Sequence, residues 1–132
     1  MTKEELIGEA CEARKLSYSP YSCFAVGAAL LTKDGRVYFG ANIENGSFSL
    51  TMCAERIAIY HAMMDGKTKD DFAALAIVGD TEGPCSPCGA CRQVISELFP
   101  IDAPIYLGNL SGEIKETSIE ELLPFAFTSE DL

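Results

Sequence analysis

Residues 24–43 read FAVGAALLTKDGRVYFGANI, and this stretch decides the architecture. Phe24 to Thr32 is an apolar run bounded by turn residues, which predicts a buried strand. Arg36 to Ile43 predicts a second strand. Lys33-Asp34-Gly35 between them is a hairpin signal, because glycine supplies the positive φ that a tight turn requires. Upstream, Thr2 and Glu5 have the spacing of a capping box, in which side chain and backbone cap each other. A helix with Leu6, Ile7, Ala10, Cys11 and Ala13 on its apolar face follows to about Leu16, and Ser19-Pro20 breaks it.

Downstream the pattern alternates. Met52 to Met64 predicts a helix ended near Gly66. Phe72 to Val78 predicts a buried strand, and Cys88 to Phe99 a helix stopped by Pro100. Ile105 to Leu107 and Glu113 to Thr117 predict short strands. Ser118 and Glu121 cap a last short helix that ends at Pro124. The order predicts an α/β fold in which helices cover a five-stranded mixed sheet. Only Gly108 to Gly112 separates the last two strands. A parallel crossover needs a dozen or more residues, so this final pair is expected to be antiparallel.

The chain has 132 residues, about one ordinary domain, and no composition break divides it, so residues 1–132 are expected to form one domain. The formal net charge of −10 disfavours a polynucleotide partner and suits a small neutral substrate. No apolar run reaches the length of a membrane span, and residues 1–12 lack the apolar stretch of a signal peptide. A cytoplasmic location is expected. In that compartment the six cysteines point to metal or catalysis before disulfides.

Two segments concentrate the chemistry: Cys53-Ala54-Glu55 and Pro87-Cys88-Gly89-Ala90-Cys91, each at a predicted helix start. Cys88 and Cys91 fall on one side of a first helical turn, the bite that a tetrahedral zinc requires, and helix N-termini stabilise thiolates. Cys53 would supply a third sulfur, leaving the fourth position of a catalytic zinc for water. Glu55 lies close enough to reach that water without ligating the metal. The competing readings are a redox Cys-x-x-Cys pair and a closed structural zinc that adds Cys85. Against the latter, Cys85 precedes Pro87 in a loop, and a structural site gives no reason for Glu55. Cys11 and Cys23 read as small core or surface residues, and His61, two turns beyond Cys53, as packing or surface.

The sequence strongly resembles the small homotetrameric cytidine deaminases over almost its whole length. The resemblance is carried by Tyr21-Ser22-Cys23-Phe24 through Gly27-Ala28-Ala29-Leu30, Asn42-Ile43-Glu44-Asn45, Cys53-Ala54-Glu55-Arg56, Pro87-Cys88-Gly89-Ala90-Cys91-Arg92-Gln93 and Glu121-Leu122-Leu123-Pro124. It implies a three-layer fold and one Zn²⁺ per chain held by Cys53, Cys88 and Cys91. It implies hydrolysis of cytidine and 2′-deoxycytidine to the uracil nucleosides and ammonia in pyrimidine salvage, by a zinc-activated water with Glu55 as proton shuttle. Arg56 would donate to the thiolates of Cys53 and Cys88. Asn42 and Glu44 would hold the ribose 3′-hydroxyl, Phe24 would pack on the base, and the Ala54 backbone would read the pyrimidine edge. A neighbouring subunit would lend Phe127. Phe48 stands where relatives often carry tyrosine, and Gly46 where alanine is common. Other aminopyrimidine substrates, and a zinc-stabilised interaction module without activity, are the alternatives.

Overall fold

The computed structural model describes residues 1–132. Its elements are α1 (Lys3–Arg14), β1 (Val26–Thr32), β2 (Val37–Ala41), α2 (Ala54–Met64), β3 (Phe72–Gly79), α3 (Gly89–Leu98), β4 (Ile105–Asn109), β5 (Ile114–Thr117) and α4 (Ile119–Leu122). Three short 3₁₀ turns, at Phe48–Leu50, Lys69–Asp71 and Ser129–Asp131, were not expected from the sequence. The strands form one sheet in the order β2-β1-β3-β4-β5. β1 pairs antiparallel with both β2 and β3. β4 and β5 are antiparallel, whereas β3 and β4 run parallel, so the antiparallel arrangement does not extend inward from the last pair.

Strand periodicity builds three layers, because alternate side chains face opposite sides of a sheet. Ala29 of β1 with Ala74, Ala76 and Val78 of β3 meet Leu6, Ile7 and Ala10 of α1. Ala28 and Leu30 with Leu75 and Ile77 meet Ala58, Ile59 and Ala62 of α2 and Cys91 and Ile95 of α3. Both faces of β1 and β3 are covered, so these strands read as continuous apolar runs rather than alternating ones. No helix is long and apolar enough to cross a membrane.

Several boundaries differ from expectation for identifiable reasons. The Thr2–Glu5 capping box is present, but α1 ends at Arg14 rather than near Leu16. Cys23 adopts φ 56°, in the left-handed region, so the chain turns at residue 23 and β1 begins at Val26 rather than Phe24. Met52 is not helical; it bridges Ile43, and α2 starts after Cys53. Gly35, with φ 88°, makes the expected hairpin turn.

One glycine places the site. A Cβ on Gly40 of β2 would overlap the Ala54 carbonyl oxygen and lie 2.6 Å from the Ala58 nitrogen. The bare backbone at Gly40 therefore lets the first turn of α2 rest directly on β2. That contact fixes where Cys53, Ala54 and Glu55 stand relative to the sheet.

Candidate active site

Cys53 is the N-cap of α2 and Cys88 the N-cap of α3, and neither side chain makes a capping hydrogen bond. Both thiols are thus left for another role, each beside helix N–H groups that have no intrahelical partner. Cys91 follows on the first turn of α3 and is fully buried. The Sγ atoms of Cys53, Cys88 and Cys91 lie within 4.8 Å of one another, and those of Cys53 and Cys88 are 3.9 Å apart. Sulfurs at ~2.3 Å from a tetrahedral zinc stand about 3.8 Å from each other. The three thiols fit one zinc ion per chain.

The electrostatics agree with that fit. The neighbouring Cys91 thiol above all, then Arg56 and Cys88, hold the Cys53 thiol down at about 5. Cys91, beside Cys53 and buried, is pushed up. Arg56 Nη2 donates to Cys53 Sγ at 3.4 Å. The expected second bond, to Cys88, is not formed. The guanidinium sits on the α2 side of the cluster, where its charge is held chiefly by Cys53 and then by Cys91. Arg56 Nε is buried with no acceptor. A donor left open beside three thiols suits a cluster that carries negative charge when it holds a metal.

Cys85 does not join the three thiols. Its amide donates to the Gly108 carbonyl at 3.0 Å, which pins it to β4, and burial pushes its thiol up to about 11. It forms instead part of the wall of a cleft of about 240 Å³. Phe24, Asn42, Glu44, Ala54, Glu55, Cys53 and Cys88 line the same cleft. Glu55 is 4% exposed, and burial raises its carboxyl above the ordinary range, with the nearby Cys53 charge adding to the effect. A carboxyl so placed holds a proton more readily than an exposed one, which suits a group that must both take up and release one.

Asn42 and Glu44 lie just past β2 and are both buried. Asn42 Nδ2 donates to the Phe24 carbonyl at 2.8 Å, and its Oδ1 accepts from the Val26 amide at 2.9 Å. Glu44 Oε1 accepts from the amides of Tyr21 and Ser22, at 3.0 and 3.1 Å, and Oε2 from the Ser22 hydroxyl. The Ser22 hydroxyl above all, then these amides, hold the Glu44 carboxyl below its ordinary value. The two side chains therefore clamp residues 21–26, which carry Phe24, while still facing the cleft. Sequence reasoning did not single out Ser22, Val26, Thr51 or Ser86 as lining residues. Phe48, noted as a departure, also lines the cleft and packs edge-on against Tyr21.

Phe127 is not in this chain's cleft. Its carbonyl accepts from Gln93 Nε2 at 3.0 Å and its side chain is 56% exposed. His61 packs edge-on against Tyr38 at 5.2 Å, away from the thiols. Cys11 is half-buried against the core under α1, and Cys23 is exposed.

A family model for the cytidine and deoxycytidylate deaminase zinc-binding region matches residues 1–107. The chain belongs to the cytidine deaminase family. This deaminase is 56% identical over 132 residues to the cytidine deaminase of Halalkalibacterium halodurans, covering 100% of this chain and 98% of that one. It is equally similar, 56% over 132 residues, to the cytidine deaminase of Sporosarcina psychrophila, covering 96% of the latter. The crystal structure of cytidine deaminase from Burkholderia pseudomallei superposes with a TM-score of 0.94 at 50% identity, covering 96% of this chain and 100% of that chain. The deaminase is accordingly a zinc-dependent hydrolytic enzyme of α/β fold.

Proposed function

We propose that the chain, as one deaminase domain over residues 1–132, hydrolyses cytidine and 2′-deoxycytidine to uridine and 2′-deoxyuridine with release of ammonia. The observation that carries this reading is the convergence on one cleft of Cys53 and Cys88, the buried Glu55, and the buried pair Asn42 and Glu44. The thiols and Glu55 suit a metal and a proton, and Asn42 and Glu44 suit hydroxyl groups.

Cys53, Cys88 and Cys91 would hold the zinc, which when bound acts as a Lewis acid that makes water readily ionisable near neutral pH. Glu55 takes the proton from the attacking water and delivers it to ring nitrogen 3 as oxygen adds to carbon 4. It then moves the remaining hydroxyl proton to the amino group, the carbon–nitrogen bond breaks, and ammonia leaves a carbonyl at carbon 4. One cytidine and one water thus give one uridine and one ammonia. The raised proton affinity of Glu55 suits both directions of transfer.

Phe24 packs on the base, and the first-turn N–H groups of α2 at Ala54, which lack intrahelical partners, read the pyrimidine edge. Glu44 has one acceptor site left after its three hydrogen bonds, enough for one ribose hydroxyl. Arg56 steadies the thiolates. Phe127 serves a neighbouring chain's cleft in a homotetramer; its exposure and its absence from the lining of its own chain's cleft support this. The setting is pyrimidine salvage in the cytoplasm.

Mixing zinc-loaded protein with cytidine and following the loss of the cytidine ultraviolet band tests the reaction. Stoichiometric ammonia release is the expected result. A pure, zinc-replete protein that leaves a panel of cytosine nucleosides intact contradicts it.

A further inference from the structure

The conspicuous polar side chain outside the cleft is Arg92, on the first turns of α3. Its three guanidinium nitrogens hold three different oxygens. Nε donates to the Pro87 carbonyl at 2.9 Å, Nη2 to Ser86 Oγ at 2.6 Å and Nη1 to the Leu122 carbonyl at 2.7 Å. None of these is a carboxylate, although the chain has 20 acidic residues. A planar fork of five donors is suited to such a multi-point hold, and a lysine is not.

The bonds fall around one residue. Arg92 grips the peptide before Cys88 through the Pro87 carbonyl. Its own backbone amide donates to the Cys88 carbonyl at 3.0 Å and so grips the peptide after it. The two peptide planes are related only by φ and ψ of Cys88, which are −68° and 166°. Holding both planes fixes the direction of the Cys88 Cα–Cβ bond. Cys88 needs this more than its partners do. It is exposed, whereas Cys91 is buried in the core and Cys53 has Arg56 on its sulfur.

The third bond reaches elsewhere. Leu122 closes α4, and its carbonyl has no intrahelical donor. Gln93, the next residue of α3, holds the Phe127 carbonyl. Adjacent side chains of one helix thus tie down the C-terminal segment at two points.

We propose that Arg92 is a positioning residue that aims the Cys88 sulfur at the metal and locks the segment carrying Phe127 to the same loop. The inference rests on the zinc reading of the three thiols and concerns a residue that touches neither metal nor substrate. The test is zinc competition against a chromophoric chelator at fixed pH, with amide hydrogen exchange of residues 122–127 in the zinc-saturated protein. Arg92→Ala is expected to weaken zinc binding by roughly 10–100-fold, as losses of partners behind metal ligands do, and to speed exchange in that segment. Arg92→Lys should recover only part of the affinity, and Ser86→Ala should lose a few-fold.

A merely structural arginine would lower the melting temperature and leave the zinc affinity of the folded protein unchanged; that result overturns the proposal. Should Arg92→Ala fail to fold, Arg92→Lys and Ser86→Ala decide, and wild-type zinc affinity in both overturns it. If the unaltered chain binds one zinc and Arg92 variants match it, only this inference fails. If the unaltered chain binds no zinc, the reading of the site fails with it.

Discussion

Gly40→Ala is a one-methyl change on the sheet at a residue that does not line the cleft, yet it should disable the site. The added carbon would overlap the Ala54 carbonyl oxygen and sit 2.6 Å from the Ala58 nitrogen. An ordinary contact is about 3.5 Å, so α2 and β2 must separate by roughly 1 Å. Both neighbours are backbone atoms, which cannot rotate away as a flexible side chain would. Overpacking of this kind costs about 1–3 kcal/mol, and the rigid contact here belongs at the upper end. At ~2.1 cal/mol/K of unfolding entropy per residue over 132 residues, ~3 kcal/mol lowers the melting temperature by about 11 °C. The displaced turn carries Cys53, Ala54 and Glu55, and a 1 Å misplacement near reacting groups can cost ~10²-fold in rate. Thermal melts at fixed protein and zinc concentration, with cytidine turnover well below the melting temperature, measure both effects. A melt within about 2 °C of the parent and turnover within twofold would refute the claim that the Gly40–Ala54 contact places the site.

Cys88→Ser should lose zinc and activity, whereas Cys85→Ser should keep one zinc per chain and most turnover; equal metal loss in the two would restore the closed four-sulfur site. Arg56→Gln should raise the proton affinity of the apo-protein's Cys53. The parent thiolate, held at about 5, is present above that pH and lost as pH falls through it, so the variant's window moves upward. Titration of thiolate ultraviolet absorbance in apo-protein reads this directly, and an unmoved midpoint would mean that Arg56 does not act on the sulfurs. Phe127→Ala should leave zinc content intact and raise KM, by on the order of 1–3 kcal/mol of lost stacking, or roughly 5–150-fold. Hybrids of Phe127→Ala and Glu55→Ala chains should regain low-substrate activity, and no regain in verified hybrids contradicts a shared cleft.

Local signals in the chain were sufficient for the frame of this fold. The Lys33-Asp34-Gly35 turn, the Thr2–Glu5 capping box and the apolar run of Phe72 to Val78 each depend on neighbours in sequence, and each formed as read. The thiols were legible because their spacing, Cys88 to Cys91 on one helical turn, is itself local. What could not be read were pairings across the fold. Met52 looks like the start of a helix until Ile43 takes it as a bridge partner. The side-chain hydrogen bonds of Asn42 and Glu44 go to Ser17 and to residues 21–26, about twenty positions away, so their role in holding Phe24 is invisible in their own segment. Gly40 reads as a weak point in a strand, and its reason lies in the backbone of α2. Arg92 was legible as part of a motif, but not as a clamp, because the Leu122 carbonyl it holds is supplied by a different helix.

The central claim is that Glu55 moves the protons while the three thiols hold the metal. Glu55→Gln preserves the shape of a residue that is 4% exposed and removes its negative charge and its ability to take up a proton. Turnover of cytidine by this variant, measured beside its zinc content and its melt, is the most direct test. The account predicts about one zinc per chain, an unchanged fold and a rate lower by roughly 10⁴-fold or more, from loss of both proton transfers and of the charge that stabilises the transition state. Turnover within tenfold of the parent in a clean, zinc-replete preparation would contradict it.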